Sequence, residues 1–179
     1  IEDVSLNRAR TGWVEVLERM GADVSTQVTG HSGKEPYGIL SARYTKSLRG
    51  CDVPARKIAS MVDEIPVLSL LAAHARGVTV FRDVSELRVK ETDRLAAIID
   101  GLTALGISAW THGDDLFIEG QPGFEAPEGI AFDSLGDHRL AMTWALVGLT
   151  GSVPVTVRRF GSVAVSYPRF LEDMEGLVR

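Results

Sequence analysis

Apolar residues recur at helical spacing in five stretches of the chain, with short apolar runs between them. Trp13, Val16, Leu17 and Met20 mark a helix over Arg8–Met20, and Gly21 follows as its stop. Ala22–Val28 and Tyr37–Tyr44 read as partner strands, joined by the polar loop Thr29-Gly30-His31-Ser32-Gly33-Lys34. A second helix spans Glu64–Arg76, with Pro66 near its first turn and Gly77 at its end. Val78–Phe81 is a short β-branched strand. Lys90–Leu105 is the clearest helix, closed by Gly106. Ile107–Trp110 and Leu116–Ile118 form a hairpin around His112-Gly113-Asp114-Asp115. Arg139–Leu149 is a fourth helix, Val153–Val157 a strand, and Pro168–Leu177 a fifth helix.

The pattern repeats. "RTGWVEVLERMGADV" and "RLAAIIDGLTALGISA" share one order: helix, glycine stop, strand, polar loop, strand. "RGVTVFRDVSELRVKETDR" and "SVPVTVRRFGSVAVSYPRF" share a Val-Thr-Val strand, a loop and a helix start. The chain therefore reads as about two copies of one mixed unit, the first starting late. An α/β fold (α+β) follows, with helices packed on mixed sheets, in one domain without a Pro/Gly/Ser-rich linker.

Composition narrows the class. The 179 residues carry 24 acidic and 19 basic side chains, a net charge of −5, with 45% apolar residues. Such a chain can bury a sizeable core. The acidic balance argues against a general nucleic-acid partner. Cys51 is the single cysteine, which excludes an internal disulfide and a cysteine-rich zinc site. No apolar run is long enough to span a bilayer, so no membrane partner is expected and a cytoplasmic location is. The chain opens Ile1-Glu2-Asp3 without a Met, which suggests a processed start or a piece of something longer.

Charges gather where three helices begin. Asp63 and Glu64 precede Pro66; Lys90, Glu91 and Arg94 open the central helix; Asp137, His138 and Arg139 open the fourth. Acids there are expected from capping, but arginines oppose the helix dipole. One reading is capping acids with surface ion pairs. The other has the three starts converge into a cationic cleft with carboxylates inside, suited to a small, multiply charged anion. Lys90 and Arg94 would share a helix face, and Glu91 could pair with Arg94. His31, His74 and His112 lack metal-ligand spacing, and no cofactor-binding motif is present, so neither metal nor cofactor is expected.

The segments "VDEIPVL", "ELRVKETDRL", "GDHRLAM", "NRARTGWVEVLERMGADV" and "AVSYPRFLEDM" occur in that combination across nearly the whole chain. The sequence resembles the C-terminal part of the 5-enolpyruvylshikimate-3-phosphate synthase family. The resemblance implies repeated βαβαββ units. It also implies an active site between this domain and an N-terminal domain that the chain lacks, along with the start of its own domain. The implied reaction moves the enolpyruvyl group of phosphoenolpyruvate to the 5-hydroxyl of shikimate 3-phosphate and releases phosphate, the fragment being inactive alone. By the same resemblance, Asp63 accepts the hydroxyl proton and Glu91 serves proton transfer at the methylene. Lys90 reaches shikimate 3-phosphate, Arg94 and Arg139 bind phosphoenolpyruvate, and His138 helps position the site. Val165 stands where some members have a lysine, and Glu86 where some have an asparagine. The alternatives are a UDP-N-acetylglucosamine enolpyruvyl transferase-like enzyme, or a non-catalytic module binding an anion or a partner.

Overall fold

Helix α1 (Gly12–Arg19) stops where Gly21 takes φ +83°, and the chain turns into a long antiparallel hairpin, β2 (Asp23–Ser32) with β3 (Glu35–Arg43). A short strand β1 (Val4–Ser5) pairs with the other edge of β3, giving the order β1-β3-β2. The computed structural model describes residues 1–151 and 153–177. Pairing of β2 with β3 runs through Ser32 opposite Glu35, so the turn is Gly33-Lys34 alone. The loop expected over Thr29–Lys34 is mostly strand, because a bulge at Thr29 restores the ladder beyond it.

The middle of the chain is one complete unit. It runs β4 (Asp52–Val53), a single turn α2 (Ala55–Ile58), α3 (Ile65–Ala73), β5 (Gly77–Phe81), α4 (Arg94–Ala104), β6 (Ser108–His112) and β7 (Asp115–Gly120). Its sheet has the order β4-β5-β7-β6, with β4 parallel to β5 and the other pairs antiparallel. A third unit begins with β8 (Ala131–Asp133), α5 (His138–Thr150) and β9 (Thr156–Arg158), where β8 and β9 are parallel. The turn α6 (Val163–Ser166) and helix α7 (Phe170–Leu177) follow. One whole βαβαββ unit thus sits between two partial ones, rather than two copies in succession.

The correspondence extends to side chains. Arg82, just after β5, is held by Asp52 of β4; Arg159, just after β9, is held by Asp133 of β8 at 2.6 Å. The α3, α4 and α5 helices pack on one another. Their apolar side chains join the sheet in a core that includes Ile65, Leu68, Phe81, Leu95, Ile98, Leu102, Leu116, Ile118 and Trp144. Trp144 stacks on Phe132 at 4.8 Å and lies against Gly101. A smaller cluster of Ala141, Val163 and Phe170 ties α5 to α6 and α7.

The central helix begins later than expected. A 3₁₀ turn covers Ser85–Val89, Lys90 is extended, and Asp93 caps α4 by accepting from the Ala96 amide at 2.9 Å. Asp side chains compete for amides in this way, and the helix starts behind them. Lys90 and Glu91 therefore lie on a loop, and Lys90 does not share a helix face with Arg94.

Candidate active site at three helix starts

The beginnings of α3, α4 and α5 come together around one guanidinium. Arg94, at the first position of α4, is 1% exposed. Its Nε donates to Asp137 Oδ2 at 2.7 Å, Nη1 to Asp63 Oδ1 at 3.1 Å, and Nη2 to Glu91 Oε2 at 2.6 Å. A buried arginine requires such pairing, because an unmatched charge out of water costs several kcal/mol, about 3–5 when one partner is removed. Desolvation works against the charged form of Arg94, but Asp137 and the other carboxylates outweigh it and raise its pKa.

Each carboxylate is placed by its own helix. Asp137 is the cap of α5: Oδ1 accepts from the Arg139 and Leu140 amides at 2.8 and 3.3 Å, leaving Oδ2 for Arg94. Asp63 precedes α3, and its second oxygen faces Arg139 Nη2 at 3.1 Å and Arg10 Nη2 at 3.5 Å. Burial pushes the Asp63 carboxyl up, yet Arg139 and Arg94 together hold it below the usual carboxylate range. Glu64 behaves oppositely: burial raises its pKa, and its Oε2 is buried without a hydrogen-bond partner. Glu91 is half exposed, and Lys90 pairs with Glu86.

Asp63, Glu91, Arg94, Arg139 and Lys90 thus fall in one neighbourhood, as the convergence of helix starts anticipates. Carboxylates lie inside the cluster, as expected, but each of Arg10, Lys90, Arg94 and Arg139 meets one, so the face is not cationic overall. His138 opens α5 half-buried and makes no side-chain hydrogen bond among the described residues. Val165, on α6, is 90% exposed. Sequence reasoning placed Asp137 among the charges at the helix starts without a role of its own, and gave Arg10 no site role. An acidic residue directly before "HRLAM" was the available signal for Asp137; for Arg10 the signal was its closeness to Arg8, a small basic cluster near the chain start. His74 lies outside the cluster at the end of α3, stacked on Phe124 at 4.4 Å. Among the described residues, no group of His, Cys, Asp and Glu could hold a metal ion, and no helix is long and apolar enough to cross a membrane.

The family model for EPSP synthase (3-phosphoshikimate 1-carboxyvinyltransferase) matches residues 1–174. The chain belongs to the EPSP synthase family. A 3-phosphoshikimate 1-carboxyvinyltransferase from Roseiflexus sp. (strain RS-1) is 46% identical over 93% of this chain and 38% of its own length. One from Methylobacterium sp. (strain 4-46) is 43% identical over 99% of this chain and 39% of its own. The EPSP synthase structure from Acinetobacter baumannii superposes with a TM-score of 0.91 at 35% identity, over 99% of this chain and 41% of that one. The enolpyruvyl transferase NikO from Streptomyces tendae shares the fold, with a TM-score of 0.72 at 24% identity. The chain spans about two fifths of the length of these relatives.

Proposed function

We propose that this chain supplies one wall of the active site of a 3-phosphoshikimate 1-carboxyvinyltransferase. It forms part of a C-terminal domain that works against an N-terminal domain. The observation that supports this reading is Arg94, buried and shared by Asp63, Glu91 and Asp137 at three converging helix starts, in a chain of this family. The reaction adds the 5-hydroxyl of shikimate 3-phosphate to C2 of phosphoenolpyruvate while C3 gains a proton. Loss of phosphate and of a C3 proton then restores the double bond.

Arg139 and the outer Nη2 of Arg94 suit the carboxylate and phosphate of phosphoenolpyruvate, since a planar guanidinium binds both in a forked manner. Glu91 occupies Nη2 before substrate arrives. It is half exposed, so its departure costs little burial, and once displaced it stands beside the reacting methylene as proton carrier. Asp63 is the base for the hydroxyl. Paired with Arg94, Arg139 and Arg10 it is a weak base, because a useful base has a pKa near the working pH. Phosphoenolpyruvate drawing Arg94 and Arg139 to itself strengthens Asp63 at the moment it is needed. Lys90 leaves Glu86 for the phosphate of shikimate 3-phosphate, and His138 orients the start of α5.

The test replaces the matching segment of the Roseiflexus enzyme with this chain and follows phosphate release. Turnover is expected, with Arg94→Ala raising KM for phosphoenolpyruvate, and Asp63→Asn lowering kcat while KM stays within a few-fold. A folded chimera without turnover, or an Arg94→Ala chimera with unchanged KM, overturns the assignment.

A further inference from the structure

Arg10 is the one cation of the cluster given no substrate to bind. It lies on the loop before α1, with Nη2 3.5 Å from Asp63 Oδ2. Its side chain is 62% exposed, and Asp63 is its single ion-pair partner among the described residues. A contact so long and so open adds little to folding stability. The backbone nevertheless fixes it from two sides. The loop winds around Asn7: Oδ1 of Asn7 accepts from the Ala9 amide at 2.8 Å, and its carbonyl accepts from the Arg10 amide at 2.8 Å and the Thr11 hydroxyl at 3.1 Å. Beyond Arg10, the Gly12 amide donates to the Ser60 carbonyl at 3.3 Å, and a Cβ on Gly12 would lie 2.0 Å from Ser60 Oγ. The start of α1 is therefore docked on the turn just before Asp63, and the two side chains are held on clamped segments.

Asp63 is otherwise held by Arg94 Nη1 on Oδ1 and by Arg139 Nη2 on Oδ2, both at 3.1 Å. In the proposed reaction phosphoenolpyruvate draws both away. Asp63, with 22% of its side chain exposed, then faces a bound anion. Glu64 stands next to it along the chain and opposes its charge, and Lys90, from the loop before α4, favours it from farther off. A half-covered carboxylate left without a close cation takes up a proton or turns to water, and neither form serves as a base. We propose that Arg10 is a positioning residue for Asp63. It keeps hold of Oδ2 while Arg94 and Arg139 turn to phosphoenolpyruvate, so that Oδ1, vacated by Arg94, stays ionised and aimed at the acceptor hydroxyl. The long contact suits this task, because a distant cation keeps the carboxylate charged at a smaller cost in basicity than a close one. Arg10 itself touches no reacting atom. The inference rests on the assignment of Asp63 as the base.

The test uses the Roseiflexus enzyme carrying this chain, with Arg10→Gln and Arg10→Lys. Arg10→Gln is expected to lower kcat by about ten- to hundredfold, the scale of a misplaced reacting group, with both KM values within a few-fold and an unchanged melting temperature. The acid limb of its kcat–pH profile is expected to move to higher pH, because Asp63 loses the cation that remains once Arg94 and Arg139 have left. Arg10→Lys keeps the charge and is expected to regain most of the rate and the wild-type limb. Unchanged kcat and pH profile in Arg10→Gln, beside an active parent, overturns this proposal and leaves the transferase reading standing. A raised KM for shikimate 3-phosphate with kcat intact overturns it by making Arg10 a substrate ligand. Loss of kcat matched by loss of melting temperature overturns it by making Arg10 structural, and a lysine variant no better than the glutamine one denies that its charge matters. A folded parent chimera without turnover refutes the transferase reading, and this inference falls with it.

Discussion

Asp137 serves two helices with one carboxylate, capping α5 with Oδ1 and anchoring Arg94 of α4 with Oδ2. Asp137→Ala should therefore cost about 3–5 kcal/mol in chemical denaturation, the scale for orphaning a buried ion-pair partner. Asp137→Asn, which keeps the cap acceptor, should cost clearly less. The neighbours Asp63 and Glu64 predict opposite pH behaviour. The folded pKa of Asp63 lies below its unfolded value, so its stabilisation is present above the unfolded value and lost as pH falls through the folded one. The melting temperature of Asp63→Asn should trail the wild type at pH 7, and the gap should close in acid. Burial raises Glu64, so its contribution is present below the unfolded pKa and lost as pH rises through the folded one. Glu64→Gln should melt higher than the wild type at neutral pH and lose that advantage in acid.

At the scale of elements, α4 and α5 can approach because Gly101 has no side chain. A Cβ there would lie 2.3 Å from the Trp144 ring. Gly101→Ala should destabilise by about 1–3 kcal/mol, the usual cost of overpacking, even though alanine is the better helix former. Asp93→Ala should cost about 1 kcal/mol through the lost cap of α4. Both are read from urea midpoints. The long helices and the β6–β7 hairpin were legible because their apolar spacing is sustained and glycines close them. The strands β1, β4 and β8 were not, because two or three residues cannot show alternation. The start of α4 was misplaced because Lys90 and Glu91 are good helix formers, while the decisive competition for amides came from Asp93. Asp63, Arg94 and Arg139 were legible as candidates, since arginines at helix starts need a reason. The Glu91–Arg94 pair was legible from its spacing; that Asp63 and Asp137 also hold Arg94 was not, because it depends on distances between helices that no local spacing encodes.

At the scale of the molecule, three units of unequal completeness share one interior, and among the described residues only the middle one holds its own βαβαββ set. Every ladder partner of β4, β5, β6 and β7 lies between Asp52 and Gly120. The β8–β9 pair packs through β9 on α5, which in turn holds α6 and α7. This asymmetry sets an order of assembly. Contacts close in sequence form with little loop-closure entropy, so the middle unit is the natural folding nucleus, and β8–β9 with α7 docks late. Pulse-labelled hydrogen exchange during refolding should protect β5, β7 and α4 first. On a ribosome, the segment ending at Gly120 could acquire its sheet before the residues that complete the Arg94 cluster, Asp137 and Arg139, have been synthesised.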